Sequence, residues 1–453
     1  MAENGRFDFF DLQSAVLPQG LSVQYGPATK PPEEDLFVNG KYEPPAHSVK
    51  PLLEANPGDG RLVFHEGPHV YLYEGVPASA SVTDVAHSCE PAFKASEAID
   101  SMRASRKQAW PRLEYVKGAT KGGAWNGALG ILLRSQDLTV AALPENSFSS
   151  DTSLEQALEV LEISRIGPKD DDEEVYFFER VLTDAEIGAE WARNGAEQSA
   201  RGTEAHHQAE LFFNGLSCRW WSEEMQNVTW FVRTHMEGME SRHTEFEIYF
   251  PEADLAGSID LILWDRKRRV FHIVDHKRSE KLPREMRGYG KMLPPLAHLD
   301  KCKAASFALQ LSIYQYILQR CYGMAIGDRV LLSLHPSARF ATAVPYLGEE
   351  VALLMERRIA LVRARRACAD RDETFRCALT GAPVHDAVEL EDGSIAAMKA
   401  AQVRGLSFEP HEPTRKRFRE AVEAVVEDVA PPAKWAKGGW RRQMPDRGLP
   451  PFC

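Results

Sequence analysis

Leu255-Ala-Gly-Ser-Ile-Asp260-Leu-Ile-Leu-Trp264 and Val270-Phe-His-Ile-Val-Asp275-His-Lys277 are two apolar runs separated by the charged segment Asp265-Arg-Lys-Arg-Arg269. Short runs rich in Ile, Leu and Val read as buried strands, and the polar segment between them reads as a turn. Asp260 and Asp275 are therefore expected on neighbouring strands. Side chains alternate along a strand, so Asp275 and Lys277 share a face and His276 takes the other. Two carboxylates about 4 Å apart repel by roughly 4 kcal/mol at an effective dielectric near 20, so a buried pair calls for a cation or a proton between them. Mg²⁺ meets that need: it takes hard oxygen ligands, keeps several waters, and is usually held by one or two carboxylates plus phosphate oxygens. The plain alternative is that both acids pair with Arg or Lys near a sheet edge.

Three flanking segments carry further polar residues at regular spacing. Trp191 to Gly215 reads as two consecutive helices, with Thr203 as the N-cap of the second and Asn214-Gly215 as its stop. His206 and Glu210 then stand one turn apart on one face. The run His243-Thr-Glu245-Phe-Glu247-Ile-Tyr-Phe250 alternates as a strand, with Glu245 and Glu247 on one side and Phe246, Ile248 and Phe250 on the other. Downstream, Phe307 to Arg320 has helical spacing and puts Gln310 and Tyr314 on one face. Taken singly, these read as a structural histidine, a solvated strand face and an ordinary amphipathic helix.

Taken in order, Gly-Thr-x-x-His206, Glu245, Gly-x-Ile-Asp260, Asp275-x-Lys277 and Gln310-x-x-x-Tyr314 resemble the PD-(D/E)xK nuclease superfamily, and within it the RecB-like exonuclease branch. The likeness extends to nucleases of large DNA viruses and to mitochondrial genome-maintenance exonucleases. It is densest from about Trp191 to Pro336, roughly a third of the chain. A weaker echo lies in His69-Val-Tyr-Leu-Tyr73 and Ser81-Val-Thr83, similar to a hairpin and the helix after it in that branch.

The resemblance implies an α/β (α+β) chain with a restriction-endonuclease-like mixed sheet of four or five strands, flanked by helices and extended by helical N- and C-terminal additions. It also implies that Asp260 and Asp275 hold a catalytic Mg²⁺ or Mn²⁺, helped by the backbone carbonyl of His276. Lys277 would orient or help deprotonate the attacking water and stabilise developing charge. By the same likeness His206 approaches the metal or phosphate, Glu245 and Glu210 are supporting carboxylates, and Gln310 with Tyr314 contact the DNA backbone or the Lys277 region. Iron–sulfur members of the branch use four cysteines, including a tight C-terminal trio. Here Cys89, Cys218, Cys302, Cys321, Cys368, Cys377 and Cys453 show no Cys-x-x-Cys, so no cluster is expected.

Composition bounds the reading more loosely. The 453 residues are 43% hydrophobic and 26% charged, enough for a sizeable core and more than one structural unit. The scattered, odd-numbered cysteines give no disulfide framework and suit a reducing compartment. No apolar run reaches transmembrane length, and Met1 to Asp8 resembles neither a secretory signal nor a presequence. A soluble intracellular protein, nuclear or cytoplasmic, with no membrane partner is expected.

The formal charge of −12 is unusual for a partner of DNA. Phosphate contacts depend on where cations sit, however. Arg266 to Lys291 gathers Arg266, Lys267, Arg268, Arg269, Lys277, Arg278, Lys281, Arg284, Arg287 and Lys291. This cluster is expected to bracket the acidic centre, with Arg278, Lys281, Arg284, Arg287 and Lys291 contacting DNA; the alternative is a solvated charged loop.

Four segments are expected: an irregular lead-in over 1–60, a first part of the nuclease fold with an insertion and acidic linker over 61–175, the nuclease core over 176–347, and a C-terminal helix with a basic tail over 348–453. The helix-like Leu154 to Glu162 falls in the insertion, which is expected to lie over a substrate channel, and Pro168 to Glu174 reads as the solvated linker. Thr414 to Arg419 reads as a basic run or import signal, and Trp435 and Trp440 as bases' stacking partners among lysines and arginines.

The resulting expectation is a metal-dependent DNA nuclease of replication, repair or recombination, with exonuclease action on single-stranded or end-bearing DNA. Structure-specific endonuclease action, a non-catalytic nucleic-acid-binding module, and an unrelated α+β protein whose acids form salt bridges are the alternatives.

Overall fold

The computed structural model describes residues 37–38, 41–42, 61–105, 115–122, 163–170, 173–280, 288 and 290–426. They fall in two compact units, one from within 1–91 and 200–453, the other from within 92–199. The units cut across the expected segments 61–175 and 176–347. The lead-in apart from residues 37–38 and 41–42, the helix expected over Leu154–Glu162, and Trp435 and Trp440 lie outside the described residues.

In the larger unit an antiparallel pair, Phe37–Val38 with Lys41–Tyr42, precedes a three-stranded sheet of β1 (Leu62–His65), β2 (Val70–Tyr73) and the short β3 (Val76–Pro77), followed by β4 (Ala80–Ser81) and α1 (Val82–His87). Ser81 starts α1 with a capping box: its hydroxyl accepts from Asp84 N at 3.0 Å and Asp84 accepts from Ser81 N at 2.9 Å.

The smaller unit holds α2 (Ala95–Ala104), β5 (Val116–Gly122), β6 (Ile163–Asp170) and β7 (Glu173–Val181), with the strands in antiparallel order β5-β7-β6. The acidic run at Pro168 to Glu174 is thus no linker. It closes a hairpin in which Asp170 pairs with Glu173.

One helix, α3 (Asp184–Phe213), replaces the two expected around Thr203. Gly195 and Gly202 lie within it without breaking it, although each glycine costs about 1 kcal/mol in a helix interior. Burial of Ala205, Ala209, Phe212 and Phe213 holds its last turns, and the helix stops at Asn214-Gly215, where Gly215 takes φ +68°. α4 (Glu223–His235) follows, capped by Ser222.

The sheet then forms from β8 (Met239–Phe250), β9 (Leu255–Asp265) and β10 (Val270–Lys277), successively antiparallel. The turn between β9 and β10 is the one read from sequence. Asp265 Oδ1 accepts from Lys267 N and Arg268 N at 2.9 Å each, an Asx-type closure.

A small pair, β11 (Gly290–Lys291) and β12 (Asp300–Lys301), leads to α5 (Lys303–Cys321), which crosses over so that β13 (Ile326–Ser333) lies parallel to β10. β14 (Ala341–Ala343) closes that edge. The order is β8-β9-β10-β13-β14, with β4 added parallel to β9, making a mixed sheet of six strands. The sixth strand, against the four or five expected, is the two-residue β4.

Alternation sends the strands' apolar residues to two cores. Phe246, Ile248, Phe250, Ile259, Ile273 and Leu331 pack with α1, α5 and α6 (Gly348–Arg371); Leu261, Leu263, Val274, Val330 and Leu332 pack with α3 and α4. Because Val351, Leu354 and Met355 of α6 belong to the first core, residue 348 begins no separate body. The chain continues through β15 (Ala387–Leu390), β16 (Ile395–Ala397), α7 (Met398–Val403), β17 (Phe408–Pro410) and α8 (Glu412–Glu423). The basic run Thr414 to Arg419 lies in α8, where Arg415 pairs with Glu412 and Arg417 with Asp372. Among the described residues no helix is long and apolar enough to cross a membrane.

Candidate metal and phosphodiester site

Thr244 pairs with Leu261 and Phe246 with Ile259, so Glu245 of β8 faces Asp260 of β9; Leu261 pairs with Val274, which puts Asp260 level with Asp275 of β10. Three carboxylates thus form a row across three adjacent strands, about 4.8 Å apart at the backbone. The row coincides with a fault in the pleat. Ile259 belongs to the core under α5 and Leu261 to the core under α3, although two residues apart on a regular strand would share a face. Glu245 takes φ +45° at the same level. This distortion turns Asp260 away from strict alternation and gives it access to groups from both faces.

From the α3 face come two histidines. His206 Nδ1 lies 3.4 Å from Asp260 Oδ2, and the His276 ring meets His206 edge-on with centroids 5.5 Å apart. One ligand atom each from His206, Asp260 and His276 lies within 4.8 Å of the other two. His276 also donates its backbone N–H to Asp260 Oδ2 at 2.6 Å. Its ring is buried, and Nε2 has no hydrogen-bond partner. Burial pushes the imidazole down to about 4, so it stays neutral, the form that can offer a lone pair. The sequence expectation gave this position only a backbone carbonyl; the side chain itself joins the group.

From the α5 face comes the Asp275–Lys277 pair, with Nζ and Oδ2 2.7 Å apart, and the ammonium sits 5.3 Å from the Phe307 ring centre. Burial pushes Asp275 up to about 6; Lys277 opposes this, and the charge of Asp260 adds to it. Lys277 is pushed up: burial opposes its charge, but Asp275 and Asp260 outweigh that. For Asp260 burial is likewise outweighed, by His206, His276 and Lys277, which together hold the carboxyl below its usual range. The two acids are thus split in proton affinity, as expected of like charges in one dry place. Asp275 is held by Lys277 and is not part of the His206–Asp260–His276 group.

The supporting residues divide. Glu245 accepts from Ser258 Oγ at 2.9 Å, and its pKa is raised by burial, then by Asp260 and Glu210. Glu210 is buried beside His207 at 3.3 Å, so it is near the row through Glu245. Gln310 donates to Tyr314 Oη at 3.4 Å on α5, as the shared face predicts. Tyr314 crosses Gly257: a Cβ there would stand 2.9 Å from its Cε1, which explains the glycine of the Gly-x-Ile-Asp run.

The basic rim differs from expectation. Arg278 is turned into the protein against Glu224 at 3.2 Å with its side chain 7% exposed, and Lys291 pairs with Asp300 at 2.5 Å. Arg266 and Arg268 pair with Glu240 and Asp328. They lie in the β9–β10 turn, Arg266 six residues from Asp260 and Arg268 seven from Asp275, and so about 20 Å from the row along the strands. Lys281, Arg284 and Arg287 lie outside the described residues. One neighbour was missed: Tyr71, packed with Leu62, Ala78 and Ala256, has its phenol pushed up by burial, then by Glu245, Glu247 and Asp260. Its only sequence signal was the alternation in His69–Tyr73.

The chain was compared with protein-family models, curated proteins and solved structures. Nothing matches.

Proposed function

We propose that the chain is a divalent-metal-dependent deoxyribonuclease of restriction-endonuclease-like fold, acting as an exonuclease on single-stranded or end-bearing DNA. The observation that carries this reading is the Lys277 ammonium, 2.7 Å from Asp275, beside the His206–Asp260–His276 group. An ammonium and a set of metal donors side by side are what a phosphodiester needs, since its hydrolysis develops negative charge on a phosphoryl oxygen.

The donors fit a cation: one ionised carboxylate, a neutral imidazole with an unpartnered nitrogen, and a second imidazole with its side chain 27% exposed. Two nitrogens and an oxygen depart from the all-oxygen set that Mg²⁺ prefers and favour a transition-metal cation, of which Mn²⁺ is the one tested. When bound, such a cation supplies Lewis acidity at the phosphoryl oxygen and lowers the pKa of a nearby water.

The chain's own groups then take distinct parts. Lys277 stays protonated, so it donates to the phosphate rather than acting as a base. Asp275, with a proton affinity close to working pH, is the better acceptor for the proton of the attacking water. Burial and the charge of Asp260 raise the pKa of Glu245, which disfavours a third negative charge in the row.

The test is to incubate the full chain with end-labelled linear single strands and with closed circles, in Mn²⁺, Mg²⁺ or EDTA. Metal-dependent shortening of the linear strand, sparing circles and lost in Asp260→Ala and Lys277→Ala, is expected. Turnover that survives EDTA or either substitution rejects the assignment.

A further inference from the structure

Away from the carboxylate row, a second cluster of charge lines a cavity in the larger unit, where the loop after β3, the C-terminal part of α6, the segment before β15 and the start of α7 meet. Arg365, Arg366 and Lys399 face it, with His385, Asp386 and Asp254. Arg358 stands behind: its charge helps to lower Arg365, after burial, to about 10.

None of these cations has a carboxylate partner within ion-pair distance among the described residues. Arg358 donates to Ala253 O, Asp254 O and Ser79 Oγ, Arg366 to Pro251 O, and Lys399 to Ala78 O. Asp254 is already occupied, accepting from Ser79 N at 3.2 Å and Tyr249 Oη at 2.8 Å. Two buried atoms are left over: Arg365 Nη1, a donor, and Asp386 Oδ1, an acceptor, each without a hydrogen-bond partner. A buried, unmet polar atom costs about 1–3 kcal/mol, and more when charged; both atoms are closed off from contact with water, while both residues line the same cavity, so a guest that draws the two side chains toward it meets both.

The cavity measures about 50 Å³. One water needs about 10–15 Å³, so the space holds three or four waters or a single tetrahedral oxyanion. Arg358, Arg365, Arg366 and Lys399 against Asp254 and Asp386 leave a net positive charge, which favours an anion over water. The acceptor on Asp386 narrows the choice further. A fully ionised oxyanion such as sulfate would set lone pairs against that carboxylate, whereas phosphate near neutral pH can keep one P–OH to donate to it.

We propose that this cavity is a binding site for a singly protonated phosphate, free or as the phosphoryl end of a small ester whose remainder leaves by the open side. Arg365 donates to an anionic oxygen, Asp386 accepts the phosphate hydroxyl, and Arg366 and Lys399 supply the balancing charge. The site is independent of the proposed nuclease activity.

Thermal unfolding and calorimetric titration of the full chain at pH 7 in EDTA test it, using inorganic phosphate, glycerol phosphate, sulfate and chloride at matched ionic strength. Phosphate is expected to bind and raise Tm at least tenfold more effectively per mole than sulfate, with chloride inert. Glycerol phosphate within about tenfold of phosphate, the margin set by its smaller protonated fraction at pH 7, assigns the ester; phosphate alone assigns the free ion. Arg365→Met should abolish the phosphate effect while leaving Tm without phosphate unchanged or higher, since it removes an uncompensated buried charge. Asp386→Asn should erase the preference for phosphate over sulfate. No heat and no shift with any oxyanion, equal response to sulfate and phosphate, or an Arg365→Met chain that responds like the parent would each overturn the proposal.

Discussion

Replacing Asp275 by Asn separates what this carboxyl costs the fold from what it contributes to the site. Its pKa is raised from 3.8 to about 6, first by burial and then by the charge of Asp260. The folded chain therefore holds this proton more tightly than the unfolded chain does, by about 3 kcal/mol at roughly 1.4 kcal/mol per pH unit. With the folded value above the unfolded one, the stability tied to this group is fully present below pH 3.8 and is lost as pH rises through about 6. Asparagine imitates the protonated form at every pH, and Lys277 keeps Asp260 as a counter-charge.

The variant should match the parent near pH 4, gain steadily to about pH 6, and stay about 3 kcal/mol ahead from pH 6.5 to 8. For a body of this size that corresponds to roughly 6–12 °C in Tm. Thermal or urea unfolding in EDTA between pH 4 and 8 measures it, and nuclease assays on the same preparation should show turnover lost. A variant less stable at pH 7, or an advantage that does not grow between pH 4 and 6, refutes the account of Asp275 as a carboxylate held ionised at the expense of stability.

Three further outcomes follow from the geometry. His276→Leu fills the same buried space without the unpartnered nitrogen, so Mn²⁺ affinity by calorimetry should fall at least about tenfold while Tm in EDTA is kept or raised; unchanged affinity removes the ring from the donor set. Gly257→Ala drives a methyl to 2.9 Å from both Tyr314 Cε1 and Val82 Cγ2, and should cost about 1–3 kcal/mol in a urea titration. Asn214→Leu breaks the bonds from its amide to Glu210 O at 2.8 Å and Thr244 Oγ1 at 2.7 Å, which tie α3 to β8. A loss of about 1–3 kcal/mol is expected, with weaker metal binding as His206 is released; a neutral result would show that packing alone positions the helix.

Much of the sheet was legible from local pattern. The runs at 255–264 and 270–277 are strands joined by the Asp265–Arg269 turn, and alternation correctly sent Phe246, Ile248 and Phe250 inward. The face shared by Gln310 and Tyr314 followed from helical spacing alone. Other readings failed for identifiable reasons. Thr203 read as the N-cap of a second helix, but one helix runs through it, with its last turns held by the packing of Ala205, Ala209, Phe212 and Phe213. Of the rim expected around Lys277, Lys281, Arg284 and Arg287 lie outside the described residues; Arg266 and Arg268 stand about 20 Å away at the turn, and Arg278 is drawn inward by Glu224.

The order of the residues by itself determined the strands at 255–264 and 270–277, the helix that carries Gln310 and Tyr314, and that Asp275 and Lys277 share a side, because those follow from periodicity within a few residues. Only the tertiary structure decided that the pleat slips at Glu245 and Asp260, that His206 and the ring of His276 converge on Asp260, and that Arg365 and Asp386 face one cavity. Each of these depends on how elements tens of residues apart pack together, and on burial, which sets the charge a side chain can keep.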